Sequence, residues 1–184
     1  MKRLVGRSLA IVVLNSTLVL AGPAAEPSRS AAVAKQLTAA LAAHKLDAVA
    51  AKDPDEPDRF IAALYYPGAQ LLVVSARFSV PSAIEAKLAQ QQYHDIYLDL
   101  QSSAIAKSSM FYEDLNADGL CANRDQPADL LYDGSGAPKV FDADWDKHKL
   151  SQKSYEEQYA AADRQYARML QILLGGLDPS ATTR

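Results

Sequence analysis

The sequence predicts an α+β domain: an antiparallel sheet with an N-terminal helix, a short middle helix and a long C-terminal helix. Three observations carry that reading. Two β-rich runs, Phe60 to Tyr66 and Gln70 to Phe78, flank the tetrad Tyr66-Pro67-Gly68-Ala69. Proline sets φ near about −65° at the first central position of a turn, and glycine supplies the positive φ that a type II turn needs at the second. A later segment, Tyr93 to Leu100, alternates Ile96, Leu98 and Leu100 with Asp95, Tyr97 and Asp99, the period of a strand. Tyr155, Tyr159, Ala162, Tyr166, Met169 and Leu173 alternate spacings of four and three, which lines one face of a helix.

The chain begins with a basic start, Met1 to Arg7, then the apolar run Ser8 to Ala21 and a small-residue exit before Pro23. That is the order of a secretory signal peptide. Val19-Leu20-Ala21 places cleavage before Gly22, with Ala24 and Ala25 as further candidate ends. The alternative is an uncleaved anchor. The apolar run, broken by Asn15 and Ser16, is shorter than the roughly twenty residues a spanning helix needs. The expectation is a periplasmic or secreted protein with 1–21 as signal peptide and 22–30 as flexible leader. One globular domain follows over 31–177, with 178–184 as a disordered tail.

Loss of Lys2, Arg3 and Arg7 takes the basic count from 19 to 16 against 22 acids, a net charge of −6. That balance disfavours nucleic acid or an anionic membrane surface as partner. Cys121 is the single cysteine, so no internal disulfide forms and burial must hold the fold. A buried, inert thiol is the plainer reading of it, and an intermolecular bond the other.

Ala31 to His44 carries Val33, Leu37 and Leu41 at helical spacing. Leu46 to Ala51 is a short strand or the tail of that helix. Asp53 to Asp58, with two prolines and four acids, breaks both patterns. The uniformly apolar Leu71-Leu-Val-Val74 predicts a strand covered on both faces. Ser82 to Gln91 reads as the short middle helix and Lys107 to Tyr112 as a strand. Asp133-Gly-Ser-Gly136 separates Leu130-Leu-Tyr132 from Lys139-Val-Phe141, a second hairpin. Ser154 and Glu157 have the spacing of a capping box for the last helix, and Gly175-Gly176 should stop it.

Asp114-Leu-Asn116-Ala-Asp118-Gly119 is the sharpest local motif, matching the start of a calcium loop, Asp-x-Asn-x-Asp-Gly. Oxygens at alternate positions converge on a hard cation because glycine lets the backbone turn around it. In that register the candidate calcium ligands are Asp114, Asn116, Asp118, the Leu120 carbonyl and Asp125. An aspartate at the twelfth position is shorter than the usual glutamate and weakens the site. The competing reading is an ordinary polar turn. Asp142, Asp144 and Asp146 form a second acidic patch, read as a solvated turn. His44, His94 and His148 have no metal-ligand spacing, Ser75 lacks a nucleophile elbow, and no glycine loop cradles phosphate.

From Leu37 to Leu100 the order is helix, short strand, acidic turn, strand, tight turn, strand, short helix, strand. Leu41 to Asp55, Phe60 to Phe78 and Ser82 to Gln91 carry it. That pattern resembles the first half of the split β-barrel domain of the pyridoxamine 5′-phosphate oxidase-like proteins, over about a third of the chain. The resemblance implies a flavin mononucleotide (FMN) site, often at a homodimer interface. Arg77 and Lys87 are the basic residues of the corresponding segment. A competing topology, helix, hairpin, helix, three strands and helix, resembles the profilin-like and roadblock-like domains, which implies a ligand-sensing or interaction module. The whole chain resembles small exported bacterial proteins. The expected function is a non-catalytic binding or interaction protein of the cell envelope, stabilised by calcium and recognising a small ligand or another envelope protein. The alternative is a split-barrel FMN-dependent oxidoreductase.

Overall fold

A computed structural model describes residues 28–77, 86–87, 89–95, 110–121 and 127–177. The first element is helix α1, Arg29–His44. The Ser28 hydroxyl caps it by accepting the Ala31 N–H at 3.2 Å. Lys45 closes it in the left-handed conformation, and the Lys45 and Leu46 N–H groups return to the Ala42 and Leu41 carbonyls. Six strands follow among the described residues: β1 (Ala48–Lys52), β2 (Arg59–Tyr66), β3 (Gln70–Arg77), β4 (Met110–Leu115), β5 (Asp129–Tyr132) and β6 (Lys139–Phe141). The last element is helix α2, Gln152–Leu177.

Every strand pairs antiparallel with its sequence neighbour, in the spatial order β1-β2-β3-β4-β5-β6. The class is therefore α+β, and the sheet is open, with β1 and β6 at its edges instead of closed into a barrel. The β2–β3 turn is as expected: the Ala69 N–H donates to the Tyr66 carbonyl at 3.0 Å, and Gly68 has φ +71°.

Helices α1 and α2 cover one face of the sheet. Val33, Leu37 and Leu41 of α1 meet Tyr155, Ala162, Tyr166, Met169 and Leu173 of α2 there, over Val49, Ile61, Val73, Tyr112 and Leu131. The tyrosine stripe is thus core. The opposite face buries a flatter set, Ala48, Ala50, Phe60, Ala62, Leu64, Val74 and Ala76, with Tyr93 packed against it.

Three expectations need correction, and that of the middle helix is met where residues are described. Tyr93–Asp95 is helical, where alternation suggested the start of a strand, and 96–100 lie outside the described residues. Of the middle helix, Ala86, Lys87 and Ala89 are helical, with 82–85 outside the description. Helix α2 starts earlier than the Ser154–Glu157 pair implied, because Ser151 is the cap: its hydroxyl accepts the Ser154 N–H at 3.1 Å. Gly175 and Gly176 continue the helix to Leu177. A Cβ on Gly176 would sit 3.1 Å from the Ala51 Cβ, so the glycine lets α2 lie close against β1.

The Asp53–Arg168 pair joins α2 to the β1–β2 turn. Buried Asp53 receives both guanidinium nitrogens of Arg168, which also reaches Asp55 at 2.7 Å. The Arg168 bond holds the Asp53 carboxyl below the usual range, against its burial. A lowered folded pKa gives stability that is complete above the unfolded value and lost as pH falls through the folded one. Arg168→Met should therefore cost about 2 kcal/mol at pH 7, less than a fully buried pair because the arginine is half exposed. In urea unfolding the loss should shrink at pH 3; an equal loss at both would contradict the pairing.

Candidate functional site

The polar centre of the molecule lies where β4 ends and β5 begins, beneath α1. Strand alternation puts Met110, Tyr112 and Asp114 on the helix-facing side of β4, and Asp129 and Leu131 on that side of β5. Pairing of Glu113 with Leu130 brings Asp114 and Asp129 to adjacent positions, and both are fully buried.

Each carboxylate organises backbone. Asp114 Oδ1 accepts the Asp118 N–H at 3.1 Å; Oδ2 accepts the Gly119 N–H at 3.0 Å and the Tyr166 hydroxyl at 2.9 Å. Asp129 Oδ1 accepts the Leu115 N–H at 2.8 Å and Oδ2 the Cys121 N–H at 2.7 Å. The loop between them turns through left-handed Asn116, Ala117 and Gly119. Gly119 lies directly on α1: a Cβ there would be 2.4 Å from the Ala31 N and Cα.

A third carboxylate completes the centre. Asp163 of α2 accepts the Ser28 and Ser30 hydroxyls and the Arg29 and Ser30 N–H groups, at 2.7 to 3.0 Å. It is an internal anion at the N-terminus of α1, where free N–H groups and the helix dipole favour negative charge. The Ser30 hydroxyl in turn accepts the Leu120 N–H at 2.8 Å, and the Leu120 carbonyl accepts the Tyr159 hydroxyl at 2.7 Å. The network thus ties the loop, α1 and α2 together. Among the described residues no buried side-chain nitrogen or oxygen lacks a partner. Asp163→Ala strands two amides and two hydroxyls. Denaturant unfolding should register a loss of about 3 kcal/mol; a loss below about 1 kcal/mol, the value of one ordinary hydrogen bond, would contradict the anchoring role.

Burial raises the Asp114 carboxyl to about 7 against the pull of its Tyr166 and N–H donors. It raises Asp129 to about 8, with the neighbouring Asp114 adding to the shift. Burial and the contact with Asp118 push the Cys121 thiol up to about 12, so it is protonated at neutral pH and donates to Asp118 Oδ1 at 3.3 Å. A thiol in that state is no nucleophile. Burial also raises Tyr166 and Tyr159, the latter to about 12. Tyr112 stacks on Tyr166 with ring centroids 4.7 Å apart and donates to Gln165 Oε1 at 3.0 Å.

The expected calcium ligands are placed as follows. Asp114 is buried with both oxygens bonded, Asn116 is exposed, Asp118 is half-buried, and the Leu120 carbonyl holds Tyr159. Asp125 lies outside the described residues. Among the described residues, no group of three histidine, cysteine, aspartate or glutamate side chains is arranged to hold a metal ion. Asp142 draws in the acidic patch: it accepts the Asp144 N–H, Lys147 Nζ at 3.1 Å and His148 Nε2 at 2.8 Å. Ser75 is buried and accepts Arg59 Nη1 at 2.9 Å. Arg77 is bonded to Glu56 and 3.6 Å from Asp58.

Sequence reasoning missed Ser30, Asp129 and Asp163. Asp163 had a legible signal, since it stands four residues after Tyr159 and three before Tyr166, on the inward stripe. No protein-family model, curated protein or solved structure matches the chain.

Proposed function

We propose that the chain is an exported, non-catalytic binding module of the cell envelope. One observation carries the reading. The groups that look chemically equipped, Asp114, Asp129, Asp163, Tyr159, Tyr166 and Cys121, spend their hydrogen-bonding capacity on one another and on backbone. They are scaffold, which leaves recognition to the surface. A cleft between β6 and the start of α2 offers an accessible concavity. The first test is export: intact-mass analysis of protein recovered from the envelope fraction should give a chain starting at Gly22. The second is saturation-transfer NMR with a mixture of small acids, amines and sugars, from which at least one class should bind. Retention of the full-length chain in the cytoplasm would overturn the export reading, and silence across the mixture would overturn small-ligand binding.

Calcium is the second reading. The observation favouring it is that Asp114 and Asp129 are buried side by side while their recorded bonds come from N–H groups and a tyrosine hydroxyl, with no cation among them. A divalent ion drawn in by Asp118, Asn116 and Asp125 would favour the ionised form of both carboxyls. Melting in millimolar calcium should then exceed melting in chelator, by about 2.7 kcal/mol of stability at a hundred times Kd. Asp118→Ala should abolish the difference. Identical melting in both solutions would remove calcium from the account.

A further inference from the structure

We propose that the cleft between β6 and the first turns of α2 binds a small carboxylic acid with an apolar or aromatic body. This deepens the binding-module reading and rests on it. The cleft encloses about 210 Å³, below the roughly 300–1,000 Å³ of sites for drug-sized molecules, so its occupant is small. Val140, Phe141 and Leu150 supply the apolar wall. Lys139, His148 and Gln158 supply the polar groups, and no carboxylate lines it.

Acids outside the cleft position both bases. Lys139 Nζ is 2.6 Å from Asp133 Oδ2, and His148 Nε2 is 2.8 Å from Asp142 Oδ1. An ammonium has three donors and this bond uses one, so Lys139 retains donors for an entering carboxylate. Gln158 adds an amide donor from the facing helix. Among the described residues β6 is an edge strand, with no further strand paired beyond it. A second concavity, of about 180 Å³ beside β1, is lined by two carboxylates, Asp47 and Asp95, together with His94. The choice of an acid rests on the donors that Lys139 and Gln158 present beside an apolar wall.

The test is a ¹H–¹⁵N NMR titration of the mature chain with benzoate and, separately, benzyl alcohol. Benzoate should shift the Val140, Leu150 and Gln158 amides saturably, with benzyl alcohol about tenfold weaker. Lys139→Met should weaken benzoate about tenfold and leave benzyl alcohol unchanged. Gln158→Ala provides a second variant, on a helix turn, should the strand substitution disturb the fold. Equal binding of both probes, indifference of benzoate to both variants, or no saturable shift at about 10 mM would each overturn the proposal. If a neutral or cationic fragment binds elsewhere while benzoate does not, the acid assignment fails and the binding-module reading stands.

Discussion

Gly119→Ala should leave the chain largely unfolded at 37 °C. Two independent penalties meet at that residue. Its φ of +88° lies in the region that favours glycine, at a cost of about 1 kcal/mol or more for alanine. The added Cβ would also stand 2.4 Å from the Ala31 N and Cα, backbone atoms that have no rotamer to yield. Relief requires the loop or the start of α1 to move. Either movement breaks the Leu120–Ser30 bond and the Gly119–Asp114 bond, and with them the contact between loop and helix. The combined loss should be about 4 kcal/mol or more, a large share of the 5–15 kcal/mol that holds a typical domain. Circular dichroism melting reads it directly. Gly68→Ala is the control: it has a similar φ, +71°, but open space where the Cβ would go. It should therefore cost about 1 kcal/mol. Similar losses at both positions would show that backbone strain alone decides and that the close approach to α1 is wrong.

The second large effect is on pH. An unfolded aspartate titrates near about 3.9, whereas burial raises Asp114 to about 7 and Asp129 to about 8. Between those values the native state holds protons that the unfolded state has released. Their contribution is therefore complete below about pH 4 and lost as pH rises through 7 to 8. At about 1.4 kcal/mol per pKa unit, the decline across that range is on the order of 4 to 6 kcal/mol for each group. Urea unfolding in buffers from pH 5 to 8.5 should show stability falling steadily. Asp129→Asn should lower stability at pH 5, because an amide cannot accept both the Leu115 and Cys121 N–H groups, yet flatten the slope above it. A wild-type curve that is level or rising over that interval would contradict the burial argument. The Asp53–Arg168 pair acts in the opposite sense at a lower pH, so the two effects separate on the pH axis.

Features written in local sequence were the legible ones. The Pro67–Gly68 turn needs only its own four residues, and the α2 stripe needs only a period. Reading failed where a distant neighbour decides. Glycine pairs commonly end helices, but Gly176 lies inside α2 because β1 comes within contact distance. Alternation around Tyr93 reads as strand, whereas Tyr93–Asp95 is helical and Tyr93 packs on the second face of the sheet. The calcium motif identified Asp114 as special from spacing alone. What Asp114 and its loop do depends on Tyr166, 52 residues away, and on Ser30, 90 residues from Leu120. No local pattern encodes pairings of that length.

The measurement that tests the central claim most directly is amide hydrogen exchange at Gly119, Leu120 and Cys121 in chelator. These three N–H groups donate to Asp114, Ser30 and Asp129. If the acidic loop is scaffold, they should exchange only through global unfolding, as slowly as the core of β3, with no metal present. If they exchange as fast as an open loop until calcium is added, the buried carboxylates are not holding the loop, and it is a ligand site in its own right.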